Sequence, residues 1–183
     1  MLGVKIVSLD HELEKAQSWC EEIALYLSPE DASRLGEALQ TLRRLADSMV
    51  LPEPVLIHKD FYYAHVLWDG SGICVIDFDQ LSTGDPAFDA GHFAAHLENL
   101  AYRATGDAQA YAGVVALFVQ TYEQEAGVDV APRLPFYRAY TFLKLAATEV
   151  SRHEAEWQPL TRALTELACR ELERSGAIAT RRE

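Results

Sequence analysis

The residues best suited to chemistry lie between positions 58 and 79 of the chain. His58, Asp60 and His65 share one short stretch, and Asp77 and Asp79 follow after an apolar segment. Phosphoryl transfer needs carboxylates of this kind, because one orients or deprotonates the attacking hydroxyl while others hold Mg²⁺ against the phosphates. Mg²⁺ requires hard oxygen ligands. The stretch is therefore a candidate phosphotransfer site if the fold brings its two groups of acids together.

A predicted β-hairpin would bring these acids together. Residues 66–68 and 73–76 are apolar runs typical of strands, and the Asp-Gly-Ser-Gly segment at 69–72 favours a tight turn. Asp60 precedes the first strand and Asp77 follows the second, so both should lie at the same end of the hairpin. The alternative is that Asp60 caps a turn and Asp77 is a solvated residue, as isolated loop aspartates usually are.

Helical patterns flank this hairpin. Apolar residues recur at helical spacing over residues 10–27, and Ser28 followed by Pro29 indicates the start of a second helix that ends near Ser48. Short strand-type runs occupy residues 4–7 and 55–57, and four more helices fit after Pro86, with breaks at 106–107, 127–135 and 157–159. The predicted fold class is α+β, mainly α-helical, with a single domain over residues 1–183.

Composition excludes several classes of partner. The chain has 28 acidic against 16 basic residues, a formal net charge of -12, which disfavours nucleic acid. The acidic excess is compatible with a cationic substrate, or it serves only to keep the protein in solution. No apolar run is long enough to cross a membrane and no signal peptide is visible, so a cytoplasmic location is expected.

Cys20, Cys74 and Cys169 lack the spacing of a disulfide framework or zinc site, and we interpret them as small buried hydrophobes.

His92 and His96 are four residues apart on a predicted helix, a spacing at which two imidazoles can share a metal ion. No glutamate of the HExxH type accompanies them. We therefore interpret the pair as a hydrogen-bonded or partly exposed helix face and do not include it among the metal ligands.

The order of the motifs resembles the aminoglycoside phosphotransferase and choline kinase family. That family has a catalytic loop reading HxDxxxxN, a metal strand reading IDF or IDW, and a GDPxxD run at the start of the next helix. The corresponding segments here are residues 58–65, 76–78 and 84–89. The resemblance implies a kinase-like C-terminal lobe, with a catalytic loop and metal hairpin at 55–79 and a helical substrate subdomain at 85–183.

The resemblance also implies roles for the residues of the catalytic loop and of the following helix. Asp60 would be the catalytic aspartate that faces the substrate hydroxyl, and His58 would support the geometry of the loop. Asp85 and Asp89 would be supporting residues, with Asp85 bracing the catalytic loop or capping the next helix.

The implied metal site departs from the family pattern. Asp77 would be the principal Mg²⁺ ligand. Asp79 would supply a further carboxylate, or else is a solvated acid of the loop. His65 stands where the family usually has asparagine. Because Mg²⁺ prefers oxygen, and a neutral ring nitrogen suits zinc or other transition metals better, His65 weakens the expected Mg²⁺ site.

The N-terminal ATP-binding lobe of such kinases is expected to be absent. Gly3 and Gly36 are the only glycines before the catalytic loop, so no glycine-rich loop followed by a lysine strand can be built, and the nucleotide-binding residues stay unassigned. Residues 1–9 are a candidate remnant of the hinge or of the last strand of that lobe. Two hypotheses follow: a lobe that transfers the ATP γ-phosphate to a hydroxyl of a small molecule once a separate N-lobe completes it, or an inactive binding or self-associating module.

Overall fold

The computed structural model describes residues 4–179, which form two compact units. The first comprises residues 4–7 and 51–134, and the second comprises residues 8–50 and 135–179. Most residues are helical and the strands are short, which confirms the predicted α+β, mainly α-helical class. The single-domain interpretation stays a prediction.

The strands all belong to the first unit. They are β1 (Lys5–Ile6), β2 (Val55–Ile57), β3 (Val66–Trp68), β4 (Ile73–Val75) and β5 (Ser82–Gly84). β5 is central in a three-stranded sheet, parallel to β1 and antiparallel to β2. Gly84 is required there, because a Cβ at this position would lie 3.0 Å from Ile57 Cδ1 and 3.2 Å from Val7 Cβ.

The predicted hairpin is present as β3 and β4, which pair antiparallel with Val66 opposite Val75. Its turn closes on the Asp69 carboxylate, whose Oδ1 accepts hydrogen bonds from the amides of Ser71 (2.8 Å) and Gly72 (2.9 Å). Gly70 has a φ of +94°, a conformation that glycine adopts without strain. The turn sequence thus explains why the two apolar runs meet in this register.

Two helices complete the first unit: α3 (Ala87–Thr105) and α4 (Ala112–Ala126). α3 buries residues around most of its circumference, and its many alanines allow neighbouring elements to approach closely. Left-handed glycines at 106 and 127 end the two helices, as the predicted breaks require. α3 is therefore the central element against which the catalytic loop can be anchored.

The second unit is helical and contains α1 (Leu9–Ala24), α2 (Pro29–Ser48), most of α5 (Leu134–Arg152) and α6 (Trp157–Ala179). Ser28 Oγ accepts a hydrogen bond from the amide of Asp31 at 3.1 Å, which confirms the predicted start of α2. The buried core includes Ile23, Leu35, Leu42, Phe142 and Leu164. The last predicted break is displaced: it lies at residues 153–156, and Trp157 begins α6.

Among the described residues, no helix is both long enough and apolar enough to span a bilayer.

The interpretation of the cysteines is correct for two of the three. Cys20 and Cys169 are buried, and burial raises the pKa of their thiols to about 12 and about 11. Cys74 is exposed, because it lies on the hairpin strand β4, whose side chains are largely accessible to solvent.

Candidate active site

Asp89 anchors the loop that carries Asp60. Asp89 lies in the first turn of α3 and is 7% exposed. Its Oδ2 accepts a hydrogen bond from the amide of His58 at 2.7 Å, and its Oδ1 accepts one from the amide of Lys59 at 2.8 Å. Burial raises the pKa of the Asp89 carboxyl, and these amide donors oppose that shift. The start of α3 therefore fixes the backbone immediately before Asp60.

We expect Asp89→Asn to lower the free energy of unfolding by about 1–3 kcal/mol, because an asparagine can accept from only one amide while its NH₂ group faces the other. Urea denaturation measures the loss, and amide hydrogen exchange should show it first at His58 and Lys59. Asp79→Asn is the matched control: its side chain is exposed, so its effect should stay within about 0.5 kcal/mol. Equal stability of the two variants would contradict the anchoring role of Asp89.

His58 joins the catalytic loop to the end of the hairpin. Its side chain is buried, and its Nε2 donates a hydrogen bond to the carbonyl oxygen of Ile76 at 2.9 Å. Ile76 immediately precedes Asp77, so this bond connects the segments of the two candidate acids. The position of His58 suits the geometric role that the family resemblance implies.

A second histidine faces the carboxylate of Asp60. Nε2 of His92 lies 3.2 Å from Oδ1 of Asp60, and the His92 side chain is completely buried. The Asp60 side chain is 29% exposed. The carboxylate of Asp60 is thus held between the protein interior and solvent, where a substrate hydroxyl can reach it.

His65 lies between the two candidate acids. Its Nδ1 is 2.8 Å from the carbonyl oxygen of Asp60 and 4.0 Å from Oδ2 of the same residue. Its Nε2 is 3.2 Å from Oδ2 of Asp77. The structure therefore brings Asp60 and Asp77 together around one imidazole, at the end of the hairpin where the sequence placed them.

The backbone is left-handed at two non-glycine residues of the site. Lys59 has a φ of +69° and Asp77 a φ of +66°. Such conformations cost about 1–3 kcal/mol each and persist only where the surrounding structure imposes them. Asp89 binds the amide of Lys59, and His58 binds the carbonyl oxygen of Ile76, next to Asp77. These hydrogen bonds therefore hold the left-handed backbone at Lys59 and at Asp77.

Asp79 and Asp85 do not join this group. Asp79 is exposed, and across residues 4–179 its side chain forms no hydrogen bond or ion pair. Asp85 Oδ1 accepts from the amide of Ala87 at 2.9 Å, and its Oδ2 lies 2.7 Å from Nε of Arg133. Asp85 therefore caps α3, while the bracing of the catalytic loop falls to Asp89.

The donors around Asp77 do not fit Mg²⁺ well. No group of three or more His, Cys, Asp or Glu residues that could hold a metal ion occurs in the described part of the chain. The donor pair at Asp77, His65 Nε2 and Asp77 Oδ2, includes a nitrogen, whereas Mg²⁺ demands near-octahedral oxygen coordination. The residues that could hold a metal ion are thus His65 and Asp77, and their chemistry is not that of a magnesium site.

Two residues of this region were not predicted in these roles. The position of His92 has a signal in the sequence: it lies three residues after Asp89, so both residues lie on the α3 face that meets the catalytic loop. Arg133 has no such signal, because it lies 48 residues after Asp85, in a loop, and only the tertiary fold joins them.

Comparison with known proteins agrees with this architecture. The chain resembles a solved structure described as a thermostable mutant of aminoglycoside phosphotransferase APH(4)-Ia in its apo form, with a TM-score of 0.55 and 18% sequence identity. The match covers 80% of this chain but only 46% of that structure, so the chain spans about half the length of the protein it matches. At this identity the likeness establishes the fold alone. No curated protein sequence matches the chain.

The family model named APH, the phosphotransferase enzyme family, matches residues 8–128. That range contains the catalytic loop, the hairpin and the start of α3, where the candidate acids lie. The chain belongs to the phosphotransferase enzyme family.

Proposed function

We propose that the chain is the catalytic lobe of a small-molecule kinase, which transfers the γ-phosphoryl group of ATP to a hydroxyl group. The observation that carries the proposal is the position of His65, whose ring contacts the backbone of Asp60 at 2.8 Å and the carboxylate of Asp77 at 3.2 Å. Two acids held at one end of a hairpin supply the charge and placement on which phosphoryl transfer depends. Family membership supports the same reaction class.

Asp60 is proposed to take the proton of the acceptor. ATP supplies the phosphoryl group when it is bound. The acceptor oxygen forms a bond to the γ-phosphorus, the bond from that phosphorus to the leaving oxygen of ADP breaks, and the hydroxyl proton passes to the Asp60 carboxylate. Asp60 is accessible enough for this role, whereas the buried His92 can only position it.

We further propose that the acceptor is small and cationic. The net charge of -12 favours a positively charged ligand over an anionic one. A separate N-terminal lobe is proposed to complete the nucleotide site, because the chain spans 46% of the matched structure and its sequence has no glycine-rich loop before His58.

An acceptor screen tests the proposal. The protein, as its gene encodes it, is incubated with ATP and separate panels of aminoglycosides, amino alcohols and neutral sugars. Release of ADP is followed by a coupled assay, and phosphorylated product is identified by mass spectrometry. The proposal predicts acceptor-dependent ADP release with at least one amine-bearing alcohol. Absence of transfer to every acceptor, in protein to which calorimetry shows that ATP binds, would overturn it.

A second proposal is that the chain serves as a self-associating module. The observation that favours it is the apolar surface of the hairpin, on which Leu67 is 48%, Trp68 67% and Ile73 69% exposed. Exposed apolar patches commonly mark protein–protein contacts. This reading needs no nucleotide, so the ATP-binding measurement separates it from the kinase proposal.

If the hairpin mediates association, Trp68→Lys should weaken the dimer by about tenfold or more, as expected for loss of a buried aromatic contact. Sedimentation velocity over a range of protein concentrations measures this. Val114→Lys is the matched control, since Val114 is also an exposed apolar residue, 53% accessible, but lies on α4. The added positive charge alone would favour association of an acidic chain. Weaker association of the Trp68 variant, but not of the Val114 variant, would therefore identify the hairpin as the contact surface. A monomer at all concentrations contradicts this second proposal.

A further inference from the structure

We propose that His65 and Asp77 bind a transition-metal dication of the Zn²⁺ and Co²⁺ class in preference to Mg²⁺. The inference deepens the proposed function and rests on it for the place of the ion beside Asp60. It begins from a mismatch: the candidate metal position of a phosphotransferase carries an imidazole nitrogen 3.2 Å from a carboxylate oxygen. Imidazole suits zinc and its neighbours, whereas Mg²⁺ selects oxygen.

The hydrogen bond of His65 determines which ring nitrogen can bind a metal. The partner of Nδ1 is the carbonyl oxygen of Asp60, at 2.8 Å. A carbonyl oxygen can only accept, so Nδ1 carries the proton. In the neutral ring the lone pair is then on Nε2, which is the atom beside Asp77. A metal-binding histidine usually donates its other N–H to a carbonyl or carboxylate in this way.

The separation of the two donors fits shared coordination. Two ligands with bonds of about 2.1 Å to one ion lie about 3.0 Å apart at a right angle and about 3.4 Å apart at the tetrahedral angle. Nε2 of His65 and Oδ2 of Asp77 are 3.2 Å apart, between these values. These two atoms are close enough for an ion pair, but in the described part of the chain no hydrogen bond joins them. Their donor atoms are therefore neighbours without being directed at each other.

The imidazole is held in this orientation from its flanks. The ring of Tyr62 meets it edge-on, with centroids 4.3 Å apart, and the ring of His58 stacks at 5.7 Å. The side chain of His65 is 11% exposed, while that of Asp77 is 48% exposed. The His65 ring is thus held in place by its neighbours, while the Asp77 carboxylate is accessible to an ion from solvent.

Two protein ligands leave half of the positions of a tetrahedral ion to other groups. Because no third His, Cys, Asp or Glu completes a cluster within residues 4–179, water must fill the remaining positions when the metal binds alone. Catalytic zinc sites keep one open position beside three protein ligands, and this pair of ligands would leave two positions open. An ion held in this way can also accept oxygen ligands from a phosphate.

The competing state is a protonated imidazolium of His65 paired with the Asp77 carboxylate. It would also suit a 3.2 Å distance, but Nε2 would then carry a proton and would have no lone pair for a metal. Metal titration distinguishes the two states.

The test is calorimetric titration of the purified chain with CoCl₂, ZnCl₂ and MgCl₂, in the absence of nucleotide and acceptor. The visible absorption of Co²⁺ reports its coordination independently. We expect Co²⁺ and Zn²⁺ to bind at least about tenfold more tightly than Mg²⁺, and His65→Asn to weaken Co²⁺ binding by about tenfold or more. His11→Asn is the matched control, because His11 is an exposed histidine whose Nδ1 lies 3.5 Å from Glu14 Oε2.

A second measurement uses the unmodified chain and so does not depend on whether the variant folds. Long-range ¹H–¹⁵N correlation spectra should show Zn²⁺ shifting the Nε2 resonance of His65 and not that of His11. The inference is overturned if Co²⁺ does not bind, if Mg²⁺ binds equally well, if His65→Asn keeps the Co²⁺ affinity, or if Zn²⁺ leaves His65 Nε2 unchanged. Because no ATP or acceptor is present, failure here is distinct from failure of the proposed transfer reaction.

Discussion

Replacing Asp60 with Asn is expected to lower kcat for phosphoryl transfer by about 10²–10⁴-fold, with a much smaller change in KM. The amide of asparagine preserves the shape of the side chain but cannot take the proton of the acceptor hydroxyl. The environment of Asp60 makes the substitution informative, because His92 faces one of its oxygens at 3.2 Å and the side chain remains 29% exposed. Steady-state kinetics with an acceptor found in the screen measure the effect.

The matched control for Asp60→Asn is Glu53→Gln. Glu53 is an exposed acid in the same segment of the chain, before β2, and its replacement changes the net charge by the same amount. We expect its kcat to equal that of the unmodified protein. A kcat for Asp60→Asn within threefold of the control, a margin of about 0.6 kcal/mol, would exclude Asp60 as the catalytic base.

Removing Arg133 is expected to have the largest effect on stability. Arg133→Met should lower the free energy of unfolding by about 3–5 kcal/mol, because it leaves the Asp85 carboxylate buried without its partner. The two side chains are 13% and 2% exposed, and Nε of Arg133 lies 2.7 Å from Oδ2 of Asp85. Urea denaturation, with amide exchange in α3 as a local probe, measures the loss.

The double variant Arg133→Met with Asp85→Asn should recover part of this stability, because it removes the uncompensated charge while an asparagine can still accept from the amide of Ala87. Arg44→Met is the control, since Arg44 is exposed and its partner is the neutral hydroxyl of Thr41, at 2.8 Å. Equal losses for Arg133→Met and Arg44→Met would contradict a structural role for the Asp85 ion pair.

The elements of the fold that sequence reasoning predicted well are those with strong local signals. The hairpin followed from two apolar runs around Asp-Gly-Ser-Gly, and the start of α2 followed from Ser28 and Pro29. β5 was missed because Ser82–Gly84 has no apolar pattern and pairs only with strands distant in sequence. Local chemistry therefore predicts turns and helix ends, whereas a short central strand depends on its partners.

The same distinction between local signals and tertiary contacts applies to the candidate site. Asp60 and Asp77 could be placed together because both flank one hairpin, and His65 lies in the short turn between Asp60 and β3. Asp79 could not be excluded from the sequence, since residues two apart share one face where a strand continues. The left-handed backbone at Asp77 and the turn at Phe78–Gln80 end that alternation, and neither has a clear signal in the sequence. The partnership of Asp85 with Arg133 is a purely tertiary contact.

The most direct test of the central claim is a crystal structure of the protein with a non-hydrolysable ATP analogue and a divalent cation. We expect the γ-phosphate to lie between the carboxylates of Asp60 and Asp77, with the cation in contact with Asp77. A nucleotide bound elsewhere, or carboxylates of Asp60 and Asp77 that both remain out of reach of the γ-phosphate, would contradict it.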